Sequence, residues 1–267
     1  MIATVVGCGW LGLPLAGALV DAGLEVRGTT TRRSRFGAIA AVGAQPALLS
    51  LGPAPEGETG VLDRADRVFV CVPPSGPEGG YAEAVAALAR EAASRGAAHL
   101  LLCSSTGVHE GADDHPTVRE ADVPPLDRAG PRARRLLEAE AAVRDGPLPA
   151  TVARLGGLWG YGRNPVRSLA GRELDGPDVP VNLVHRDDAI RALLRLSLPE
   201  PTLGTYAVVA AEHPPRGAFY RGEARRLGLP TPRFDDRPKP GKRVSGEALA
   251  EDVGVRPRWR PGDPEAP

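Results

Sequence analysis

Three glycines near the N-terminus constrain the fold of this 267-residue chain more than any other feature. Gly7, Gly9 and Gly12 lie between an apolar run, residues 2–6, and a second apolar run that suits a helix, residues 13–20. The G-x-G-x-x-G spacing alone is common, but between these two runs it predicts a strand, a tight turn and a helix. The chain therefore opens with a unit that is typical of a parallel α/β sheet.

In such a turn each glycine has its own geometric role. Gly7 allows a sharp change of direction, Gly9 leaves room for a pyrophosphate to approach the backbone, and Gly12 lets the helix lie close to the strand. The N–H groups and the positive dipole end of the helix, with Trp10 and Leu11 at its start, then face an anion. We therefore expect these five residues to bind a dinucleotide. The alternative interpretation is a tight turn that binds no ligand.

The residues after the second predicted strand bear on which dinucleotide would bind. About 20 residues after the glycine loop, sites that prefer NAD usually carry Asp or Glu for the ribose 2′-hydroxyl, whereas NADP sites have an arginine nearby. Residues 27–35 contain no acid, and Thr30 is followed by Arg32, Arg33 and Arg35. Because a guanidinium pairs with a phosphate through two hydrogen bonds, we expect Thr30, Arg32 and Arg33 to bind NADP, with NAD as the alternative. The other interpretation is a solvated arginine run at a strand end.

The rest of the chain alternates between apolar strands and helical segments. This alternation predicts right-handed βαβ crossovers and a parallel sheet. Open sheets of this kind bind ligands at the carboxyl ends of their strands, so we expect Val72 and Pro73, at the end of one predicted strand, to contact the cofactor. The main predicted elements are strands at 66–72, 99–103 and 151–155 and helices at 81–96 and 132–144.

Composition excludes several classes of function. A formal net charge of +0 gives no global field that would attract nucleic acid or an anionic membrane, and an aromatic content of 4% leaves few platforms for stacking bases. No segment reaches about 18 apolar residues and the N-terminus lacks a basic region, so we expect a cytoplasmic protein that spans no membrane. Cys8, Cys71 and Cys103 lack the spacing of a disulfide framework or a zinc site and indicate small buried residues in a reducing compartment.

Several blocks of the sequence recur in the order of a known family. They are residues 7–12, 103–106, 154–163, 181–188 and 241–245. Together they resemble the epimerase/dehydratase branch of the short-chain dehydrogenase/reductase superfamily, and in particular its atypical YeeZ-like members. The resemblance implies a Rossmann-type, doubly wound parallel sheet with a small C-terminal substrate-binding lobe. It also suggests homodimers formed through helices.

The resemblance also implies how the chain is divided. We expect a single domain over residues 1–267, because no linker is long enough to separate two domains. The cofactor-binding core would cover about 1–155, and residues 156–267 would contribute to both the core and the substrate lobe.

Active members of this family use a Ser or Thr, a Tyr and a Lys to move a proton while a hydride moves to or from the nicotinamide. The resemblance implies that Ser105 is the family serine and that Ser104 beside it binds the cofactor; both could instead be ordinary strand-end caps. Arg132 and Leu136 occupy the positions of the Tyr and the Lys, and no Tyr-x-x-x-Lys occurs elsewhere in the chain. Arg132 is permanently cationic and Leu136 is apolar, so neither can transfer a proton near neutral pH.

Three other side chains have chemistry suited to a proton transfer, namely His109, His185 and Tyr161. A histidine at a strand-helix junction, such as His185, more often satisfies local hydrogen bonds, and Tyr161 more often packs. Asp187 and Asp188 indicate helix caps and salt-bridge partners rather than acids.

Two functions remain open at this point. The first is an NADP-dependent oxidoreductase or epimerase-like enzyme that acts on a small polar or sugar-like substrate with a non-standard proton donor. The second is a non-catalytic NADP-binding protein that senses the cofactor state or binds a partner. The intact glycine loop favours the first, and the missing Tyr and Lys favour the second.

Overall fold

The predicted strand, turn and helix open the computed structural model, which describes residues 1–74, 80–111, 116–235, 237 and 239–263. Strand β1 spans Ile2–Val6, and helix α1 spans Gly12–Asp21. The last four residues of β1 are buried, as expected for a strand covered on both faces. The chain leaves α1 through Gly23, which has φ +84° and donates its N–H to the carbonyl of Val20 at 2.8 Å. A left-handed glycine of this kind is a common helix C-terminus.

Fourteen strands occur within the described residues. In chain order they are β1, β2 (Glu25–Thr30), β3 (Gln45–Ser50), β4 (Glu56–Gly57), β5 (Arg67–Val70), β6 (Leu100–Ser105), β7 (Thr117–Val118), β8 (Ala150–Leu155), β9 (Gly157–Trp159), β10 (Glu173–Leu174), β11 (Leu183–His185), β12 (Gly204–Val208), β13 (Arg233–Phe234) and β14 (Arg243–Val244). Eight of them form one sheet in the order β12-β8-β6-β5-β1-β2-β3-β4. Strand β1 pairs in parallel with β2 and β5, β2 with β3, and β5 with β6, whereas β4 is antiparallel to β3. The predicted α/β fold with a doubly wound parallel sheet is therefore confirmed.

The order of the strands reverses at β1. The chain runs outward through β2 and β3 on one side and then through β5 and β6 on the other. In open α/β sheets such a reversal creates a crevice at the carboxyl ends of the strands. The end of β1 and the segment after β5 meet there, because the N–H of Cys71 donates to the carbonyl of Val6 at 2.8 Å.

Seven helices of the α type lie within the same described ranges. They are α1, α2 (Phe36–Ala41), α3 (Gly80–Ser94), α4 (Pro131–Arg144), α5 (Arg186–Ser197), α6 (Arg216–Arg226) and α7 (Glu247–Asp252). Helix α3 buries the apolar positions that its period of 3.6 residues predicts, Val85, Leu88, Ala89 and Ala92. Helices α3 and α4 pack together, and α4 begins with a proline, which favours the first helical position. Among the described residues, every helix is too short or too polar to span a bilayer.

Two strands of the sheet, β3 and the two-residue β4, were not predicted as strands. Ala47 and Leu49 are buried and alternate with more exposed residues, so β3 follows a two-residue period. Pro46 lies inside this run, and a proline lacks the N–H that a sheet ladder uses. Because β3 contains a proline and its apolar stretch is short, the sequence pattern did not indicate a strand there.

The chain forms two compact units, each assembled from three segments. The first unit comprises Met1–Ser104, Ala129–Ala153 and Leu193–Thr205. The second unit comprises Ser105–Arg128, Arg154–Ala192 and Tyr206–Pro267. The second unit contains three short parallel ribbons, β9 with β11, β10 with β13 and β7 with β14. The expectation of a single domain with a cofactor core over about 1–155 stays a prediction.

Candidate functional site

The turn after β1 requires two of its three glycines for its own geometry. Gly7 has φ +95°, a conformation that glycine adopts without strain. A Cβ on Gly12 would collide with the carbonyl oxygen of Gly7 and would approach Cγ1 of Val5 to 3.2 Å. The helix therefore lies as close to the strand as the sequence predicted. These two glycines would be needed whether or not the turn binds a ligand.

Gly9 differs, because its position is open. A Cβ there would have no described atom within 4 Å beyond its chain neighbours. Packing of the protein therefore does not explain why this residue is a glycine, whereas close approach of a ligand would. The helix start beside it has no side-chain cap at Leu11, and within the described residues neither the N–H of Leu11 nor that of Gly12 donates to a protein acceptor. Unpaired N–H groups at a helix start attract anions.

A cavity of about 900 Å³ extends from the glycine turn across the carboxyl ends of β1, β2, β3 and β5. It lies entirely within the first unit. Of the residues that the sequence predicted to bind a cofactor, those that line it are Gly7, Gly9, Trp10, Thr30, Arg32, Val72 and Pro73. The other lining residues are Cys8, Thr31, Arg35, Leu49, Ser50, Leu51, Gly52, Pro53, Cys71, Gly80, Tyr81, Glu83 and Ala84.

The end of the cavity beside β2 is cationic. Arg32 and Arg35 line it, and among the described residues neither has an ion-pair partner. Arg33 does not line the cavity, because its guanidinium lies 5.7 Å from the ring centroid of Phe36. The three residues Arg33–Arg35 form a single 3-10 turn, which directs the first and last of them differently. Arg35, rather than Arg33, therefore shares this wall with Arg32.

Ser104 and Ser105 have separate local roles. Ser104 is buried in the first unit, where its hydroxyl donates to Oε1 of Glu140 on α4 at 2.6 Å, and it does not line the cavity. Ser105 belongs to the second unit, where its hydroxyl oxygen accepts the N–H of Gly107 at 3.1 Å and caps a short 3-10 helix. This is the capping role that the sequence left open for both residues. The hydroxyl proton of Ser105 is not used by that contact.

The two residues of α4 that the sequence analysis aligned with the family Tyr and Lys differ in exposure. Arg132 is exposed in the first turn of the helix, and Leu136 is 2% exposed in the core. A buried leucine cannot hold a ribose or lower the pKa of a neighbour.

The three other candidate proton donors lie in the second unit. His109 is buried, and its Nδ1 lies 2.8 Å from the carbonyl oxygen of Asp122. His185 is also buried, with its ring centroid 4.4 Å from that of Trp259. The N–H of Asp187 donates to Nδ1 of His185 at 3.3 Å, which is the kind of local hydrogen bond that the sequence offered as the alternative role for His185. Tyr161 is 50% exposed.

Tyr161 is held in an unusual conformation. Its φ is +49°, its hydroxyl donates to Oδ2 of Asp187 at 2.6 Å, and the guanidinium of Arg186 lies 3.7 Å from its ring centroid. The hydrogen bond to Asp187 raises the pKa of Tyr161. The next residue, Asp188, accepts the N–H groups of Arg258 and Trp259 and forms an ion pair with Arg191, as expected of a structural acid.

Two further residues of the cavity wall were not predicted as site residues. Tyr81 is 4% exposed and donates its hydroxyl to the carbonyl of Val72 at 3.0 Å; burial raises its pKa above the ordinary range. Cys71 lies with its sulfur 3.6 Å from that of Cys103, and the hydrogen bond between them, together with burial, raises the pKa of the Cys71 thiol. The pairing of Val70 with Leu102 brings these cysteines side by side, and this register depends on how β5 pairs with β6 rather than on the local sequence.

Comparison with known proteins identifies the family of the chain. No family model matches it. The chain is 34% identical over 262 residues to protein YeeZ of Escherichia coli K12, covering 94% of this chain and 93% of YeeZ.

Solved structures share the fold. A short-chain dehydrogenase/reductase superfamily protein from Agrobacterium tumefaciens with bound NAD superposes with a TM-score of 0.76 at 18% identity, covering 97% of this chain and 93% of that one. UDP-glucuronic acid 4-epimerase from Bacillus cereus in complex with NAD superposes with a TM-score of 0.78 at 15% identity, covering 98% and 94%. These structures establish the fold, and the 34% identity to YeeZ over nearly the whole of both chains shows that this protein belongs to the YeeZ family.

Proposed function

We propose that the cavity of the first unit binds a nicotinamide dinucleotide, with NADP preferred to NAD. The observation that carries this proposal is that one cavity contains both the open face of Gly9 and the unpaired guanidinium groups of Arg32 and Arg35. The pyrophosphate would lie against Gly9 and accept hydrogen bonds from the N–H groups of Leu11 and Gly12. The Agrobacterium and Bacillus structures, which contain NAD, support the choice of a nicotinamide dinucleotide.

The preference for NADP follows from the charges near the end of β2. An NAD site would need a carboxylate there for the ribose 2′-hydroxyl. Among the described lining residues Glu83 is the one acid, and it belongs to the first turn of α3 rather than to the end of β2. Arg32 and Arg35 would instead pair with a 2′-phosphate.

We further propose that the protein is an epimerase/dehydratase-like oxidoreductase that acts on a small polar or sugar-like substrate. A bound nicotinamide would supply or accept a hydride. The hydroxyl of Ser105 would donate a hydrogen bond to a substrate oxygen and so orient the substrate. Arg132 cannot exchange a proton near neutral pH. The proton that moves together with the hydride would therefore come from a residue other than Arg132 and Leu136. The sugar-nucleotide epimerase from Bacillus, which shares the fold, supports this substrate class.

The first experiment is a titration of intrinsic tryptophan fluorescence with NADPH and with NADH. Trp10 lines the cavity and should report binding directly, so Trp10→Phe is expected to lose most of the signal while Trp159 and Trp259 remain. NADPH should bind more tightly than NADH, and the difference should shrink with added salt as charges are screened. Equal affinity for both would refute the NADP preference, and no binding of either would refute the site.

The alternative is a non-catalytic NADP-binding sensor. The buried Leu136 at the position of the family lysine favours it. Turnover of NADPH with a panel of carbonyl compounds and sugar nucleotides separates the two functions. Turnover of any substrate supports the enzyme, whereas tight binding of NADPH without turnover across the panel supports the sensor.

A further inference from the structure

Two of the three cysteines of the chain form a contact pair. Cys71 follows β5 and Cys103 lies in β6, one step beyond the paired residues Val70 and Leu102. Their sulfur atoms are 3.6 Å apart, and both residues are half-buried free thiols. Cys71 lines the candidate cofactor cavity and is half-buried, so a small solute in the cavity would lie next to this residue.

The strand geometry permits a disulfide between them. Neighbouring strands lie about 4.8 Å apart, which is inside the range of about 4.4–6.8 Å that disulfides span between Cα atoms. The sulfurs need to approach by about 1.5 Å to reach the bonded distance of about 2.05 Å, which rotation about the two Cα–Cβ bonds can supply.

The third cysteine serves as an internal control. Cys8 also lines the cavity, but its sulfur lies 3.8 Å from the carbonyl oxygen of Val5 and close to Gly28, where an added Cβ would meet it at 2.8 Å. Its sulfur packs beside β2 at Gly28, whereas the sulfurs of Cys71 and Cys103 contact each other. Burial raises the pKa of Cys8 to about 12, and the pKa of Cys71 is raised too, so slow reaction is expected of both. What distinguishes Cys8 is that, among the described residues, no sulfur contacts its own, so a sulfenic acid there has no adjacent thiol with which to close a disulfide.

We propose that Cys71 and Cys103 are a site of reversible oxidation by hydroperoxides, and that a bound dinucleotide shields it. In the first step one thiol attacks the peroxide and becomes a sulfenic acid, and the peroxide is reduced to an alcohol, or to water from hydrogen peroxide. In the second step the other thiol displaces water and closes the disulfide. The pair loses two electrons and two hydrogens, and the peroxide gains both. Low-molecular-weight thiols restore the pair by exchange.

The rate and the shielding follow from the surroundings of the pair. The raised pKa of Cys71 keeps its thiol protonated, so attack on the peroxide is slow. The site therefore responds to sustained exposure to peroxide rather than to a brief pulse. The second step is fast because the partner sulfur is already in contact. Shielding rests on the proposed function, because a dinucleotide in the cavity would cover Cys71.

The test is prolonged exposure to hydrogen peroxide, with and without NADP⁺, followed by alkylation and mass spectrometry. Without NADP⁺ we expect the mass to fall by two hydrogens, a cross-linked peptide pair containing Cys71 and Cys103, and Cys8 as the sole alkylated thiol. Cys8→Ser should give the same cross-link, whereas Cys103→Ser should give none. If only the protein without bound NADP⁺ reacts, NADP⁺ at about 100 times its Kd should slow formation of the disulfide about 100-fold.

Each outcome bears on a different part of the proposal. Three alkylated cysteines after prolonged exposure, or a cross-link that includes Cys8, would overturn the oxidation site. A disulfide that forms at the same rate with NADP⁺, when fluorescence shows that NADP⁺ is bound, would overturn the shielding alone. If fluorescence shows no NADP⁺ binding while the Cys71–Cys103 disulfide still forms, the proposed function fails and the oxidation site stands.

Discussion

Replacing Gly9 by alanine should strongly weaken cofactor binding without harm to the fold. A Cβ at this position has no described neighbour within 4 Å beyond the adjacent residues, and Gly9 does not have the positive φ of Gly7. A Gly→Ala change at a position that suits alanine adds about 0.4–1 kcal/mol of stability by restricting the unfolded chain. We therefore expect the melting temperature to stay constant or to rise by up to about 4 °C.

The effect on binding should be much larger. The new methyl group would occupy the open face against which the pyrophosphate is proposed to lie, which would displace a phosphate from the N–H groups of Leu11 and Gly12. A hydrogen bond to a charged group contributes about 1.5–3 kcal/mol. Loss of two such bonds raises the Kd for NADPH by about 100-fold to 10,000-fold. Gly9→Val should weaken binding further.

Gly12→Ala is the matched control, since it adds the same methyl group three residues away. Here the Cβ would collide with the carbonyl oxygen of Gly7, so the turn must shift. Overpacking of this kind costs about 1–3 kcal/mol, and we expect a lower melting temperature together with weaker binding. Differential scanning fluorimetry and tryptophan titration on both variants make the comparison. The reasoning is refuted if Gly9→Ala binds NADPH as the wild type does, or if it melts as early as Gly12→Ala.

Two further predictions concern charge. Arg32→Ala and Arg35→Ala should each weaken NADPH binding about tenfold, the low end for an exposed charge-assisted bond, and should leave NADH binding unchanged. Arg33→Ala, which removes the same charge outside the cavity, should change neither; a loss of NADPH affinity only in Arg33→Ala would reverse the assignment. Burial, with the nearby charge of Arg67, lowers the pKa of His99 from 6.5 to about 4, so His99 stays neutral in the fold while the unfolded chain takes up a proton below pH 6.5. Folding stability should therefore fall as the pH drops from 6.5 towards about 4, by up to about 3 kcal/mol, and urea unfolding of His99→Gln should show a shallower pH dependence. If the free energy of unfolding depends on pH equally in the wild type and in His99→Gln, His99 is not the source of this pH dependence.

Local patterns in the sequence predicted much of the fold. The apolar run of β1, the glycine spacing and Gly23 describe a complete strand, turn and helix, because each depends on contacts within a few residues. Helix α3 was likewise predicted, because its buried apolar residues recur with the period of a helix. Strand β3 was not predicted, and Pro46 within it is a residue that disfavours a strand. The strand forms because it pairs with β2, whose residues lie far from it in the sequence.

The candidate site was predicted less completely, for two geometric reasons. The sequence assigned Arg32 and Arg33 to the cofactor, but the 3-10 turn at Arg33–Arg35 directs Arg35 to the cavity and Arg33 to Phe36. Ser104 and Ser105 were both assigned to one pocket, yet consecutive residues of a strand point to opposite faces. Ser104 accordingly bonds Glu140 in the core. No sequence motif indicates the 3-10 turn at Arg33–Arg35 or the contact of Ser104 with the buried carboxylate of Glu140.

The interleaving of the two units determines what a shortened chain would lose. The backbone passes from one unit to the other after residues 104, 128, 153, 192 and 205. The late segment Leu193–Thr205 provides the carbonyl oxygens of Ser197 and Pro199, which accept hydrogen bonds from Nε and Nη2 of Arg67 at 2.8 and 2.9 Å. Arg67 begins β5 in the middle of the sheet and is 6% exposed. A fragment that ends near residue 155 would leave this cation without those acceptors, so it should unfold rather than persist as a miniature nucleotide-binding protein.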